Sequence, residues 1–442
     1  MMIQSGKARW AIGAAILMLG LSAGAAGAEQ FKAGVIKTDI TPTSEMYLAG
    51  YGHFRQAAPD PQVTKLYARA LAIQDSAGTK VIVSADVLGF TQALHNQIVA
   101  ESGVPYANLI LAASHTHSGP VLKDNLFPSL SYGLNAAQLT NVDAYTLLFK
   151  SKVVQAIRDA MNALTPVTLS YGSAVMGPGY VQYRTNAYSG NETNLPQIPV
   201  LVLRKADATI LATVFGFTSH AIKMGQNFWH YDFPGVTQKN LENAYANSVA
   251  LFLQGCAGDL NPVQDPDPMG GALSEKIKAL ITGGMTAVTG SIQTSYANLP
   301  LPLDVYQKAA NGNVDPPGSH AVLRTFYAQI LDATKGSQDK IWYKHAVEML
   351  RRIDANQLQD NENEPVQVWI FGGASPMVLV ALGGEPVSGY AIALKSKYQG
   401  KVGNDPNPRG TPENRPMGDT SKPANGIRQD KVVITHNGPW RQ

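Results

Sequence analysis

The sequence is poor in cysteine, in charged residues and in long apolar runs. Its 442 residues include a single cysteine, Cys256, so no disulfide can form within the chain. Charged residues make up 15% of the chain without long lysine or arginine runs, which gives no electrostatic reason to expect nucleic acid as a partner. Beyond the N-terminal segment, no stretch is apolar enough to form a transmembrane helix. We therefore expect a soluble globular protein held together by its core alone, which a chain of this length can bury.

The first residues have the three parts of a cleaved secretory signal peptide. Lys7 and Arg9 precede an apolar stretch over residues 10–21, and small residues follow up to Ala28. The apolar stretch is too short for a membrane anchor, which needs about 20 apolar residues. We therefore predict a signal peptide that ends at Ala28, a mature start near Glu29, and export to the periplasm or the medium. Loss of the two basic residues lowers the formal net charge from +3 to +1.

The remaining chain alternates between strand-like and helix-like patterns, which favours an α/β fold of mixed β-sheets layered with helices. The expected strands cover residues 80–86, 108–114, 167–171, 199–203, 366–371 and 377–382, and the expected helices cover 92–102, 143–164, 274–280, 322–333 and 340–353. The residues with chemical potential are scattered from His115 to Glu385. One site drawn from so much of the chain favours a single catalytic domain over residues 29–400.

The strongest local motif is Ser114-His-Thr-His-Ser-Gly-Pro120, directly after an apolar strand. Alternation along an extended strand would place His115 and His117 on the same side, so that both could point into one site. Imidazole is a good zinc ligand, and α/β folds place their chemistry at strand ends. Taken alone, the two histidines could equally well form hydrogen bonds within a loop.

Two further apolar runs end in residues that can bind metal. Val214 to Phe217 leads to His220, and the strand before the Gly383-Gly384 pair leads to Glu385. A lone histidine of this kind is more often structural, and Glu385 could act as a ligand, as a base or as a helix cap. Together, two histidines and one carboxylate are the ligand set of an open catalytic zinc site, which lowers the pKa of bound water to about 7.

Several motifs resemble those of the neutral (non-lysosomal) ceramidases, in their catalytic region. The similar segments are Ala33 to Pro42, Leu48 to Gly52, Leu66 to Leu71, Ser114 to Pro120, and Gly255 to Pro262. The resemblance implies zinc as the cofactor, with His115, His220 and Glu385 as its ligands.

The same resemblance implies roles for other residues and for a substrate. His117 would act near the polar head of the substrate in proton transfer or hydrogen bonding, and Arg184 would lie in the active site. The implied activity is hydrolysis of an amide bond in a lipid-like, N-acyl (ceramide-like) substrate. Transient contact with a membrane surface would be compatible with such a substrate.

One departure from the family lies in the loop with Gly255 and Asp259. Asn261 stands where the family has a serine, and an asparagine cannot serve as a nucleophile. Hydrolysis would then depend on zinc-activated water, while the amide of Asn261 could still hold a carbonyl or hydroxyl group of the substrate. Two alternatives therefore remain: a hydrolase of a different amide or ester on the same scaffold, and an inactive zinc-containing binding homologue.

The other departure is the tail, residues 401–442. The resemblance implies a tyrosine as fourth zinc ligand after Glu385, yet no tyrosine follows Tyr398. Beyond Lys401, prolines fall among glycine, asparagine and arginine, a composition that predicts neither strand nor helix. We consider two interpretations, a natural disordered extension and a shift of reading frame near Lys401.

Overall fold

The structure is a computed structural model that describes most of the chain. The described residues are 29–57, 64–126, 128–184, 197–302, 320–336, 341–357, 361–398, 432–436 and 439–440. The expected signal peptide, residues 1–28, and most of the tail lie outside them. Within the described part, no helix combines the length and the hydropathy that crossing a membrane requires.

The described chain alternates between strands and helices along its length. The strands are β1 (Phe31–Asp39), β2 (Met46–Tyr47), β3 (Gln56–Ala57), β4 (Tyr67–Asp75), β5 (Gly78–Ala85), β6 (Phe90–Thr91), β7 (Leu109–Ala113), β8 (Thr165–Val175), β9 (Val181–Tyr183), β10 (Gln197–Lys205), β11 (Ile210–Phe217), β12 (Val249–Gln254), β13 (Leu260–Pro262), β14 (Thr286–Ala287), β15 (Ile292–Pro302), β16 (Asn361–Phe371), β17 (Met377–Leu382), β18 (Val432–His436) and β19 (Pro439–Trp440). The helices are α1 (Gln92–Ser102), α2 (Pro128–Ser131), α3 (Ala136–Asn162), α4 (Asp232–Ala244), α5 (Pro266–Gly283), α6 (His320–Ala333), α7 (Ile341–Asp354) and α8 (Ser388–Tyr398).

A large mixed sheet has the strand order β12-β11-β10-β8-β1-β4-β5-β7, and β14 also pairs with β8. Its neighbours are antiparallel except for two parallel pairs, β11 with β12 and β5 with β7. The two ends of the large sheet lie close to each other. The Ser84 hydroxyl on β5, near one end, donates to the Phe252 carbonyl on β12, at the other end, at 2.8 Å. The Phe252 amide donates back to the same hydroxyl at 3.2 Å. This curvature brings the two parallel pairs to the same side of the molecule.

Alternation along the strands buries both faces of the large sheet. On β4, Ala68, Ala70 and Ala72 belong to the core that α3 covers. Leu71 and Ile73, which alternate with these alanines along the strand, belong to a second core on the opposite face. The small alanines allow α3 to lie close to the sheet, whereas the larger side chains fill the space on the other side.

A second sheet, with the order β15-β16-β17-β18, covers that opposite face. On β16, Trp369 and Phe371 point into the core shared with the large sheet. Val368 and Ile370 point to the other side, where Leu394 of α8 packs on them. The arrangement confirms the predicted fold class of mixed sheets layered with helices.

Most expected elements are present, and the differences in their bounds have local causes. Helix α1 has the predicted bounds, but α3 begins at Ala136 rather than at Asp143 because Asn135 and Gln138 form a capping box. Each of these two side chains accepts a hydrogen bond from the other residue's backbone amide, at 3.0 and 2.9 Å. The segments 33–42 and 66–71, noted above only for their resemblance, contribute to the antiparallel pair β1 and β4.

The expectation that the tail builds no strand is wrong for its described part. Val432–His436 forms β18, parallel to β17, with Val378 opposite Val432. Pro439–Trp440 pairs with Phe90–Thr91 of β6. Consecutive β-branched residues at Val432, Val433 and Ile434 favour a strand locally, although the preceding residues are rich in proline and glycine. The boundary at residue 401 and the interpretation of the reading frame remain predictions.

Candidate metal centre

Side chains that can bind metal meet where strands of both sheets end. His115 and His117 follow β7, His220 follows β11, and Glu385 follows β17. His115, His117 and His220 each offer a ring nitrogen within 4.8 Å of the others, and in the described part of the chain this trio is the group that could hold a metal ion. These side chains therefore lie together, and their roles as metal ligands remain a prediction.

The distances within this cluster fit a single small cation. The Nε2 atoms of His115 and His220 each lie 3.4 Å from an oxygen of the Glu385 carboxylate. The Nε2 atoms of His115 and His117 lie 3.3 Å apart. Ligand atoms about 2.1 Å from one tetrahedral zinc are separated by about 3.4 Å from each other. The side chains already present thus leave a space of the right size for zinc.

Backbone carbonyls orient two of these rings. The Nδ1 of His115 donates to the Leu88 carbonyl at 2.9 Å. The Nδ1 of His220 donates to the Ala257 carbonyl at 2.6 Å and lies 3.2 Å from the Leu260 carbonyl. A carbonyl can only accept, so each neutral ring keeps its proton on Nδ1 and turns the lone pair of Nε2 toward Glu385. A cation between these lone pairs and the carboxylate would satisfy all of them. Metal-binding histidines usually donate their other ring N–H to a carbonyl or carboxylate in this way, which fixes the orientation of the ring.

Burial keeps His115 and His117 in the neutral form that binds metal. It lowers the pKa of His115 to about 4, with smaller contributions from His220 and Arg184. Burial likewise lowers the pKa of His117 well below its ordinary value. For Glu385, burial raises the pKa, but His115 and His220 outweigh it and hold the pKa below its usual range. Neutral imidazoles around an ionised carboxylate make a suitable set of zinc ligands at neutral pH.

The reason given from sequence for the convergence of His115 and His117 is wrong. Strand β7 ends at Ala113, so the two histidines do not alternate along a strand. His115 has a φ of 59°, in the left-handed region that non-glycine residues rarely occupy. The turn, rather than the strand period, brings the two rings together. Backbone of this kind often marks a functional site.

A backbone contact fixes the two histidine loops against each other. The His117 amide donates to the Ala221 carbonyl at 3.0 Å. Thr116 and Ala221 also form a parallel bridge. His220 therefore stays in place relative to His115 and His117 even though the loops are about a hundred residues apart in sequence.

Residues 50–55 support His117, and sequence reasoning assigned them no role. A Cβ atom on Gly50 would lie 2.5 Å from the His117 ring, so this position requires glycine. The Tyr51 ring packs edge-on against His117 with centroids 5.0 Å apart. Arg55 is buried and donates to the carbonyls of Ala49 and His117. The resemblance of residues 48–52 was the only signal in the sequence for this support.

Arg184 and Asn261 lie next to each other. Strand β9 pairs with β13, which places Gln182 opposite Asn261. The Arg184 Nε atom donates to Asn261 Oδ1 at 2.8 Å, and this pair is exposed. Because Arg184 also contributes to the low pKa of His115 and His117, its charge acts at the histidine cluster. The two residues are therefore placed as an exposed polar pair near the cluster, as a contact for a substrate would be.

Of the roles considered for Glu385, helix capping does not match its contacts. Helix α8 begins at Ser388, and its first amide donates to Asp259 at 2.8 Å. Glu385 faces the histidines instead. Its position is compatible with a role as metal ligand or as base. His117 lies close enough to the other two histidines to be a ligand as well.

Comparison with known proteins gives two kinds of match. Residues 31–196 match the family model of the neutral/alkaline non-lysosomal ceramidase N-terminal region. A neutral ceramidase of Pseudomonas aeruginosa is 26% identical over 253 residues, which cover 52% of this chain and 37% of that protein. The chain thus aligns with well under two thirds of the length of this relative.

Solved structures agree with this similarity at the level of the fold. The crystal structure of neutral ceramidase from Pseudomonas aeruginosa matches with a TM-score of 0.59 at 19% identity, and the match covers 84% of this chain and 66% of that one. A structure described as ceramidase complexed with C2 matches with a TM-score of 0.58, at the same identity and coverage. In its sequence motifs and in its fold, this chain resembles the neutral ceramidases.

Proposed function

We propose that this protein is an exported zinc-dependent hydrolase that cleaves the amide bond of an N-acyl, ceramide-like substrate. The observation that carries the proposal is the set of separations of 3.3 and 3.4 Å among His115, His117, His220 and Glu385. The similarity to neutral ceramidases supports the choice of an amide in a lipid-like molecule. Two histidines and one carboxylate are a known ligand set of open catalytic zinc sites, which supports the choice of zinc.

In this proposal, His115, His220 and Glu385 hold the zinc. When bound, zinc supplies a Lewis acid and lowers the pKa of water into the neutral range. His117 lies beside the ligands, with its Nε2 atom 3.3 Å from the Nε2 atom of His115. This histidine can therefore accept or deliver a proton as the amide bond breaks.

Arg184 and Asn261 would bind the polar head of the substrate. The Arg184 guanidinium offers further N–H donors besides the one that Asn261 accepts. The Asn261 side chain keeps an NH₂ group that could donate to a carbonyl or hydroxyl oxygen. Arg184 is exposed and Asn261 is half-buried, so a substrate could reach them without rearrangement of the core.

One observation favours a second candidate, a hydrolase of a different amide or of an ester on the same scaffold. The Asn261 oxygen is already occupied by Arg184, whereas the related family has a serine at this point. The polar end of the site therefore has a different set of donors and acceptors. A zinc-containing homologue without activity is the remaining alternative.

Export is part of the proposal and depends on the N-terminal pattern alone. Residues 1–28 lie outside the described structure. Their positive start, apolar middle and small residues up to Ala28 support a signal peptide. The site would then act in the periplasm or the medium, where transient contact with a lipid surface could supply the substrate.

The test combines metal analysis with a panel of substrates. The purified protein is analysed for bound metal and then assayed on N-acyl-sphingosine, simple amides and simple esters, with and without a chelator. We expect about one zinc per chain, preferred cleavage of N-acyl-sphingosine, and loss of activity on chelation that added zinc restores. Preferred cleavage of other substrates would support the second candidate. Metal-free protein, or turnover that resists the chelator, would refute the proposal.

A further inference from the structure

One loop, residues 255–262, contacts His220, Arg184 and the backbone around Glu385. We call it the Gly-Asp loop. The carbonyls of Ala257 and Leu260 hold the Nδ1 atom of His220. The Asp259 carbonyl accepts the Arg184 amide at 2.9 Å, and the Asn261 side chain accepts from the same arginine. The loop therefore positions one expected ligand and both expected substrate contacts.

The same loop also contacts the backbone around Glu385. The Gly258 amide donates to the Pro386 carbonyl at 3.1 Å. A Cβ atom on Gly258 would lie 2.6 Å from the Glu385 carbonyl oxygen, so a larger residue would push the two segments apart. The backbone of Glu385 and Pro386 thus rests directly on the Gly-Asp loop.

The Asp259 carboxylate binds Ser388, three residues after Glu385. One oxygen accepts the Ser388 amide at 2.8 Å, and the other accepts the Ser388 hydroxyl at 2.7 Å. Ser388 is the first residue of α8, and its side chain is buried. A carboxylate is favoured at this place because the first amides of a helix lack internal partners and carry a partial positive charge. Asp259 therefore caps α8 across a distance of 129 residues.

Glu385 itself lies in a short connection that is held at both ends. Strand β17 ends at Leu382 and α8 begins at Ser388. Gly384 has a φ of +64°, which turns the chain toward the histidines. Upstream, the Gly383 amide donates to Glu364 at 2.7 Å. The downstream end is held by Pro386 on Gly258 and by Ser388 on Asp259, so without the carboxylate this end loses one of its two contacts.

We propose that Asp259 is a positioning residue for the metal site, which sets the place of Glu385 by capping α8. This inference rests on the proposed function, in which Glu385 is a zinc ligand. Each oxygen of the Asp259 carboxylate accepts a hydrogen bond from Ser388. Its effect reaches the metal through the backbone between residues 385 and 388. Partners that hydrogen-bond a metal ligand directly change metal affinity by about 10- to 100-fold in other proteins, so an effect through the backbone should lie at the lower end of that range.

The test is the zinc affinity of the purified chain after removal of metal, measured by competition with a fluorescent chelator. We expect Asp259→Ala and Ser388→Ala each to weaken zinc binding by about tenfold. Ser388→Thr keeps the hydroxyl and should bind zinc like the wild type. Asp207→Ala is the matched control, because Asp207 also accepts from an amide and a hydroxyl, those of Thr209, at the exposed turn between β10 and β11.

The outcomes separate the inference from the proposed function. A wild-type chain that binds no zinc would refute the proposed function and the inference together. Tight zinc binding by the wild type that Asp259→Ala retains within a factor of about two would refute the inference alone. Urea unfolding of each metal-free variant accompanies the titration. If Asp259→Ala does not fold, equal zinc affinity of Ser388→Ala and Ser388→Thr would overturn the inference, and a weaker Ser388→Ala would support it.

Discussion

His95 is a buried histidine whose replacement should change how stability depends on pH. It lies on α1 with 4% of its surface exposed, and neither ring nitrogen has a hydrogen-bond partner in the described structure. Its ring packs on Tyr106 with centroids 5.0 Å apart. Burial lowers the pKa of His95 to about 4, because an imidazolium there would lose its hydration without gaining a partner.

The size of the effect follows from the two pKa values. In the unfolded chain His95 has a pKa of about 6.5, so at pH 5 that chain is protonated while the folded chain remains neutral. The contribution of neutral His95 to the free energy of unfolding is fully present above pH 6.5, and it is lost as the pH falls toward 4. Between pH 7.5 and pH 5.0 the loss is about 2 kcal/mol, since one pKa unit corresponds to about 1.4 kcal/mol.

His95→Phe keeps an aromatic ring against Tyr106 but cannot take up a proton. We expect the wild type to lose about 2 kcal/mol more than this variant between pH 7.5 and pH 5.0. Urea unfolding followed by tryptophan fluorescence measures the difference at both values of pH. Any strain from the larger phenylalanine ring is the same at both pH values, so it cancels in the difference. His53→Phe, which replaces an exposed ring, is the control and should retain the wild-type loss. Equal losses for wild type and His95→Phe would refute the reasoning.

Three other predictions test the site, a buried carboxylate and the N-terminus. His115→Ala should lose bound zinc and activity, whereas His117→Ala should keep zinc and lose rate; the reverse pattern in metal analysis would show that the ligands are misassigned. Burial raises the pKa of Asp232 to about 6, so folding takes up a proton between pH 4 and 6, and stability should fall by up to about 3 kcal/mol as the pH rises through that window. Asp232→Asn should abolish that fall in urea unfolding, and an unchanged pH dependence would contradict the assignment. N-terminal sequencing of exported protein should begin at or near Glu29, and an intact Met1 in a membrane fraction would contradict processing.

Local patterns in the sequence were sufficient for several elements. Helix α1 begins after Thr91, whose hydroxyl accepts the Leu94 amide, and ends at Gly103, which has a φ of 75°. Both signals are short-range, so the predicted bounds agree with the structure. The start of α3 was predicted too late, because the capping box at Asn135 precedes the apolar pattern that marked the helix.

The convergence of the candidate ligands was predicted from residue types and from the resemblance, but the reason for it was not. The left-handed backbone at His115 has no signature in the residue itself, because histidine does not require a positive φ. Arg55 also gave no signal, since its role is to hold the His117 carbonyl rather than to pair with a neighbour in sequence. Such contacts depend on how loops from different strands meet.

The sequence by itself determined the alternating elements, the residue types that can bind zinc and the resemblance to the neutral ceramidases. Each of these features depends on residues that are close together in the sequence. Only the tertiary structure decided that Ser84 joins β5 to β12 and that Asp259 caps the helix after Glu385. These contacts link residues more than a hundred positions apart. Their partners are chosen by sheet order and register, which side-chain periodicity within a single segment does not specify.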